Sequence, residues 1–252
     1  MLVGDKILFA SMITYGGIFS NELRAKLQRE WQELLEKANI PCTNKNIREQ
    51  FGNENTIKIW KESACLPSDR HSIENAIILE KTRKCSFIID PQNQCNKYIK
   101  ELAKVQGETL VVLNNGSLNM QTIESAVQEG KWILIEKFKG KLEQCIEPIL
   151  NHNYEDEFIR FGGATLPFNK NFRLFVTTTE EPSRCSSKHF ANMNVINFSL
   201  TPGQLEEQLL STYKNIEKKD EEKIKAVVSR ASLLYFCLQD LSLIDPMYRN
   251  SL

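Results

Sequence analysis

Residues able to do chemistry gather where an apolar stretch meets a lysine-bearing segment, at Ile88-Ile89-Asp90-Pro91-Gln92-Asn93-Gln94-Cys95-Asn96-Lys97-Tyr98. A strand, a turn and a helix in that order form a loop that can wrap a phosphate. Working loops of this type read G-x-x-x-x-G-K-[ST]. In that register Pro91 and Asn96 replace the two glycines, Lys97 matches the lysine, and Tyr98 replaces the hydroxyl that would hold Mg²⁺. Proline offers no N–H and has a fixed φ. Cys95 and Asn96 enter positive φ less freely than glycine does.

Two stretches downstream complete the reading. A nucleotide-hydrolysing module needs a second strand ending in acid, to hold Mg²⁺ and polarise water. Trp132-Ile133-Leu134-Ile135-Glu136-Lys137 has that form, with Glu136 at the metal position. Lys137 stands where a catalytic glutamate would, and a lysine that is cationic at neutral pH cannot act as a base. A third strand should end in a polar residue facing the terminal phosphate. Phe175-Val176-Thr177-Thr178-Thr179 ends in threonines, with Thr178 as the candidate. Each segment also reads as a plain buried strand, and Lys97 as an exposed helix lysine. The ordered set of loop, acidic strand and polar strand is more specific than any one member.

These positions need a scaffold. Residues 5–38 read as two helices around Gly16-Gly17, the second with an apolar stripe of Leu23, Leu27, Trp31, Leu34 and Leu35. Thr56–Trp60 reads as a short helix, and Asp69 or Ser72 can cap another that runs to about Leu79. Strands then alternate with helices. Strands are expected at Cys85–Asp90, Thr109–Leu113, Trp132–Phe138, Phe172–Thr178 and Asn194–Phe198, and helices at Gln94–Val105, Met120–Glu129 and Leu142–Leu150. Such alternation implies an α/β fold, a mainly parallel sheet with helices on both faces. Phe158–Phe161 and Thr165–Phe168 suit a hairpin around Gly162-Gly163. After Thr201-Pro202-Gly203 the pattern turns helical. Leu205, Leu209, Tyr213 and Ile216 form one stripe, Ile224, Val227, Ala231, Leu234 and Leu238 another, and the charged Lys218–Glu222 separates them. An antiparallel hairpin is expected, with arms of about 25 Å at 1.5 Å per residue.

Composition narrows the classes. The 252 residues balance 32 Lys+Arg against 32 Asp+Glu with no long basic run, which argues against a nucleic-acid binder. The seven cysteines include no C-x-x-C pair, which reads as reduced, intracellular usage. Cys185 and His189 sit four apart in a loop-like segment, and no metal is expected there. The apolar run Ile7–Phe19 lacks the flanks of a signal peptide and is too short to span a bilayer, so it reads as a buried helix.

Motifs along nearly the whole chain resemble the fifth AAA+ module of the dynein heavy chain motor ring, more the axonemal than the cytoplasmic branch. They include Leu66-Pro67-Ser68-Asp69 with Ser72-Ile73-Glu74-Asn75, and Ile89-Asp90-Pro91-Gln92 with Gln94 and Asn96-Lys97. Asn171-Phe172-Arg173-Leu174-Phe175 with Thr177-Thr178 follows, then Asn197-Phe198-Ser199, Leu234-Tyr235-Phe236 and Ile244-Asp245-Pro246-Met247-Tyr248. Arg70, His71 and Ala76 depart from the family's usual residues, and Glu180–Lys188 lacks its Asn-Pro loop.

The resemblance implies an AAA+ P-loop-type parallel αβα sheet in the order 5-1-4-3-2, with Cys85–Asp90 central, N-terminal helices and a small C-terminal helical subdomain. It implies residues 1–65 as a stalk-to-ring re-entry segment, 66–200 as the large α/β subdomain, and 201–252 as the small subdomain without the family's long buttress coiled coil. It further implies a structural relay that does not hydrolyse ATP, inside a parent motor that is a microtubule-stimulated ATPase. The positions Pro91, Asn96, Lys97, Tyr98, Glu136, Lys137 and Thr178 would be a degenerate nucleotide site holding no cofactor and no metal. The implied partners are neighbouring AAA+ modules of the same heavy chain, with microtubules reached only indirectly, and with no nucleic acid or membrane. The implied location is cytoplasmic and cytoskeletal, in a cilium or flagellum axoneme.

Overall fold

The computed structural model describes residues 1–43, 45–114, 119–139, 146–161, 163–180, 192–214, 221–245 and 247–248. Five short apolar runs pair in parallel into one sheet: β1 (Ser86–Ile89), β2 (Leu110–Asn114), β3 (Trp132–Glu136), β6 (Arg173–Thr178) and β7 (Asn194–Asn197). The spatial order is β2-β3-β6-β1-β7. Counting only these five strands, that is the expected 5-1-4-3-2. β1 is internal, flanked by β6 and β7, but β6 takes the middle position. β4 (Phe158–Phe161) and β5 (Ala164–Pro167) form a separate antiparallel hairpin.

Alternation along the strands sorts their side chains onto two faces. Ile88, Leu134, Phe175 and Ile196 share one core with Ile73 and Ile77 of α5 (Arg70–Lys81) and Tyr98 and Leu102 of α6 (Gln94–Gln106). Phe87, Ile89, Ile133, Ile135, Leu174 and Val176 share the other with Ile123 and Val127 of α7 (Met120–Glu129) and Ile149 of α8 (Glu147–Leu150). A parallel sheet covered on both faces explains why β1 and β3 are near-continuous apolar runs.

The N-terminal helices are α1 (Val3–Tyr15) and α2 (Asn21–Lys37), joined by a 3₁₀ turn at Gly16–Ile18. Leu23 and Leu34 of the expected α2 stripe face outward, Leu35 is buried as expected, and Arg24 is buried as well. Arg24 turns inward onto the carbonyls of the turn: Nε donates to Gly16 O (2.7 Å), which also accepts the Phe19 N–H (3.2 Å), and Nη2 donates to Gly17 O (3.1 Å). Nη2 also meets Asn75 Oδ1, and Nη1 lies 3.5 Å from Glu74 Oε2. Two short helices follow, α3 (Ile47–Phe51) and α4 (Glu54–Glu62).

Two units divide the chain: Met1–Leu66 with His71–Ser199, and Pro67–Arg70 with Leu200–Leu252. The boundaries drawn from the sequence set residues 1–65 apart. Gly17 lies so close to Val195 O of β7 that a Cβ there would sit 2.3 Å from it, and the helices and sheet form one body.

In the second unit α9 (Pro202–Lys214) packs with α10 (Glu221–Ile244). Ser232 Oγ donates to Pro202 O (2.8 Å), which pairs the start of one helix with the middle of the other, as in an antiparallel hairpin. α10 has 24 residues, about 36 Å at 1.5 Å per residue, longer than the expected arm. Its packed face also differs. Val228, Ser232 and Ser242 are buried, whereas Val227 and Leu234 of the expected stripe are each 60% exposed. The small Ser232 lets the helices approach, which rotates the larger apolar residues outward. Gln208 Nε2 donates to Asp69 Oδ2 (2.7 Å) in the same unit.

Ile216, Lys218–Asp220, Cys185 and His189 lie outside the described residues, as do residues 142–145 of the expected 142–150 helix, Cys145 included. Among the described residues no cluster of His, Cys, Asp and Glu is arranged to hold a metal. Nor, among the described residues, is any helix long and apolar enough to cross a membrane.

Candidate functional site

β1 ends at Ile89, and the chain must turn before α6 begins at Gln94. Asn93 makes that turn in the left-handed region (φ 58°), where asparagine is tolerated better than most residues. The positive-φ demand therefore falls on Asn93 and not on Cys95 or Asn96. Pro91 occupies the turn, where its missing N–H costs nothing.

The opening N–H groups of a helix need acceptors, and they are what an anion would bind. Here Asp90 accepts them. Its Oδ1 takes the Gln94 N–H (2.9 Å) and its Oδ2 the Asn96 N–H (2.9 Å). The carboxyl is buried, and burial pushes its pKa up from 3.8 to about 6. The N–H groups of Asn96, Gln94 and Cys95 pull the other way, and Glu136 adds a further upward push.

Asn96 carries the loop into the sheet. Its Nδ2 donates to Asn93 Oδ1 (3.1 Å), and its Oδ1 accepts from Thr177 Oγ1 (2.8 Å). Thr177, opposite Ile88 in the register, is fully buried. Thr178 turns elsewhere: its hydroxyl donates to Phe138 O (2.9 Å) and accepts the Glu180 N–H (3.1 Å). The polar strand-end thus meets the loop through Thr177, and Thr178 anchors the turn after β3.

The remaining positions separate. Lys97 is exposed, and its backbone N–H donates to Asn93 O (3.4 Å). Tyr98 points away into the core, edge-on to Trp60 at 6.4 Å, and burial holds its phenol protonated. Glu136 is taken by Lys100, whose Nζ lies 2.8 Å from Oε1. Lys137 is exposed, with its backbone left-handed at φ 51°. That conformation turns the chain so that the Phe138 N–H reaches Thr177 O (2.8 Å).

Asp90 and Lys100 were not singled out from the sequence. Asp90 stood directly before a proline at a strand end, a usual place for a capping side chain. Lys100 sits one turn beyond Lys97 on α6, where both share a face. The Gln94 and Asn96 amides, which a phosphate at this loop would use, bind the buried Asp90 carboxylate instead. A divalent ion at Glu136 would have to displace an ammonium group.

The comparisons with known proteins agree on the lineage. Residues 58–234 match the family model described as the ATP-binding dynein motor region. The dynein axonemal heavy chain 1 of Rattus norvegicus is 30% identical over 239 residues, 92% of this chain and 5% of the relative. The ciliary dynein beta chain of Tripneustes gratilla is 32% identical over 236 residues, 91% of this chain and 5% of the relative. The dynein axonemal heavy chain 11 of Sus scrofa is 33% identical over 235 residues, again 91% of this chain and 5% of the relative. The chain therefore spans about a twentieth of the length of these relatives. With a parallel αβα sheet in this order and a family match over most of its length, the chain belongs to the ATP-binding dynein motor region family.

Proposed function

We propose that the chain is the fifth AAA+ module of a dynein heavy chain, a structural relay between the ATP-driven ring and the microtubule-binding stalk, without hydrolysis of its own. The observation that carries this reading is the buried Asp90 carboxylate on the Gln94 and Asn96 amides, in a loop with no glycine. Phosphoryl transfer depends on positioned phosphates, a metal and an oriented water. Here Tyr98 faces the core, Glu136 is paired with Lys100, and Lys137 replaces the base. General-base and electrostatic contributions are each worth about 10²–10⁴ in rate, so losing both leaves little turnover.

In this reading residues 1–65 return the chain from stalk to ring, 66–200 form the large subdomain, and 201–252 form the small one without a long buttress. Its partners are the neighbouring AAA+ modules of the same heavy chain, and it reaches the microtubule only through the parent motor. It acts in the cytoplasm on the cytoskeleton. The axonemal and ciliary names of the relatives support a cilium or flagellum.

Isothermal titration with ATP and ADP, paired with a phosphate-release assay, tests the reading. No binding and no release above buffer are expected. The exposed Lys97 favours the alternative of a degenerate P-loop ATPase that retains weak nucleotide binding. Turnover that disappears in Lys97→Ala would establish that alternative and overturn the relay reading.

A further inference from the structure

We propose that this module is self-liganded: Asp90 supplies the anion of a bound phosphate, and Lys100 the cation of a bound metal. The inference rests on the reading of the site as one that takes no nucleotide, and it adds why the fold tolerates that loss. An empty phosphate loop leaves helix-opening amides without acceptors, which is costly when they are buried. Here Asp90 Oδ1 and Oδ2 each accept one such amide at 2.9 Å. An acidic strand-end without its metal is likewise an uncompensated charge. Here Glu136, whose side chain is 16% exposed, has Lys100 Nζ at 2.8 Å. The contact a terminal phosphate would make to the neighbouring strand is also made internally, by Thr177 Oγ1 to Asn96 Oδ1 at 2.8 Å. Three interactions that nucleotide and metal would supply on binding are present permanently. β1, β3, β6 and α6 are therefore tied together in every nucleotide condition, and the junction stays in one state.

The test removes the internal ligands and offers external ones. Thermal unfolding of the full chain is followed with sodium pyrophosphate, with and without Mg²⁺, against NaCl of matched ionic strength. Wild type should show no saturable shift. Asp90→Ala should gain one, about 5 °C or more near saturation. Asp90→Ala with Lys100→Ala should gain a larger shift that requires Mg²⁺, because Glu136 is then open to a metal. Circular dichroism checks folding, and Asp90→Ser, which keeps one short acceptor, replaces Asp90→Ala if the alanine variant does not fold. Silence in wild type and in the folded variants overturns the self-liganded site and leaves the relay reading intact. A saturable shift in wild type, reproduced with Mg²⁺–ATP, overturns the relay reading itself.

Discussion

Replacing Asp90 by asparagine should change how stability depends on pH, in a direction opposite to that of most carboxylates. The substitution keeps the shape and removes the titration. Asp90 has its pKa raised from 3.8 to about 6 because burial outweighs the amides that face it. A raised folded-state pKa means that the folded protein binds this proton more tightly than the unfolded chain does. The associated stability is then fully present below about pH 4 and is lost as pH rises through about 6. The difference between 3.8 and about 6 corresponds to about 3 kcal/mol, an upper figure. Urea unfolding of wild type and Asp90→Asn, from pH 4 to pH 7.5, isolates this group, because the other carboxylates cancel in the difference. Wild-type stability relative to the variant should fall by about 2–3 kcal/mol across that range. Parallel profiles would refute the reasoning. So would a difference that grows with pH, since it would mean that the amides dominate over burial.

Thr177→Val should cost about 1–3 kcal/mol, because it leaves Asn96 Oδ1 buried without its donor. A double-mutant cycle with Asn96→Ala should show a coupling above about 0.5 kcal/mol. Arg24→Leu strips Gly17 O and Asn75 Oδ1 of the guanidinium donor, leaves Gly16 O with the Phe19 N–H alone and takes the cation from beside Glu74, and should cost about 3–5 kcal/mol in urea unfolding. Arg24→Lys should recover little, because an ammonium cannot reproduce the fork. Gly17→Ala places a Cβ 2.3 Å from Val195 O and should lower the melting temperature by several degrees, whereas Gly203→Ala, with open space around it, should not.

Much of the sheet was legible because the strands carry little else than apolar residues. α7 follows its reading at both ends, since Asn119 caps it and Gly130 closes it in the left-handed region. α3 escaped notice although Asn46 and Glu49 form a reciprocal capping box, because five residues are too few to show a helical period. The α10 face was misread because two stripes compete on it. The period of Val227, Ala231 and Leu234 is the more apolar, yet close approach at Ser232 decides the packing. At the site, residue types showed that a phosphate loop had lost its glycines. They could not show what replaced the phosphate, because Asp90 reaches amides four and six residues ahead and that depends on how Asn93 turns. Arg24 was hidden for a similar reason: a charged residue on an amphipathic helix reads as solvent-facing until its partners on α5 are known.

The Gly16-Gly17 turn has a consequence for solubility. β7 bonds to β1 through Asn194 N to Cys85 O and Phe198 N to Ile89 O, so the peptide groups of Val195 point away from the sheet. A free row of that kind is a template on which another extended chain can add. Gly17 sits against Val195 O closely enough to exclude such a chain, and only a residue without a Cβ can do so. The first twenty residues thus act as a guard on the sheet margin. A fragment starting at α2 would lose Leu8, Phe9 and Met12 from the core but keep the sheet, and should polymerise edge to edge: its apparent molar mass by light scattering would rise with protein concentration where that of the full chain stays flat.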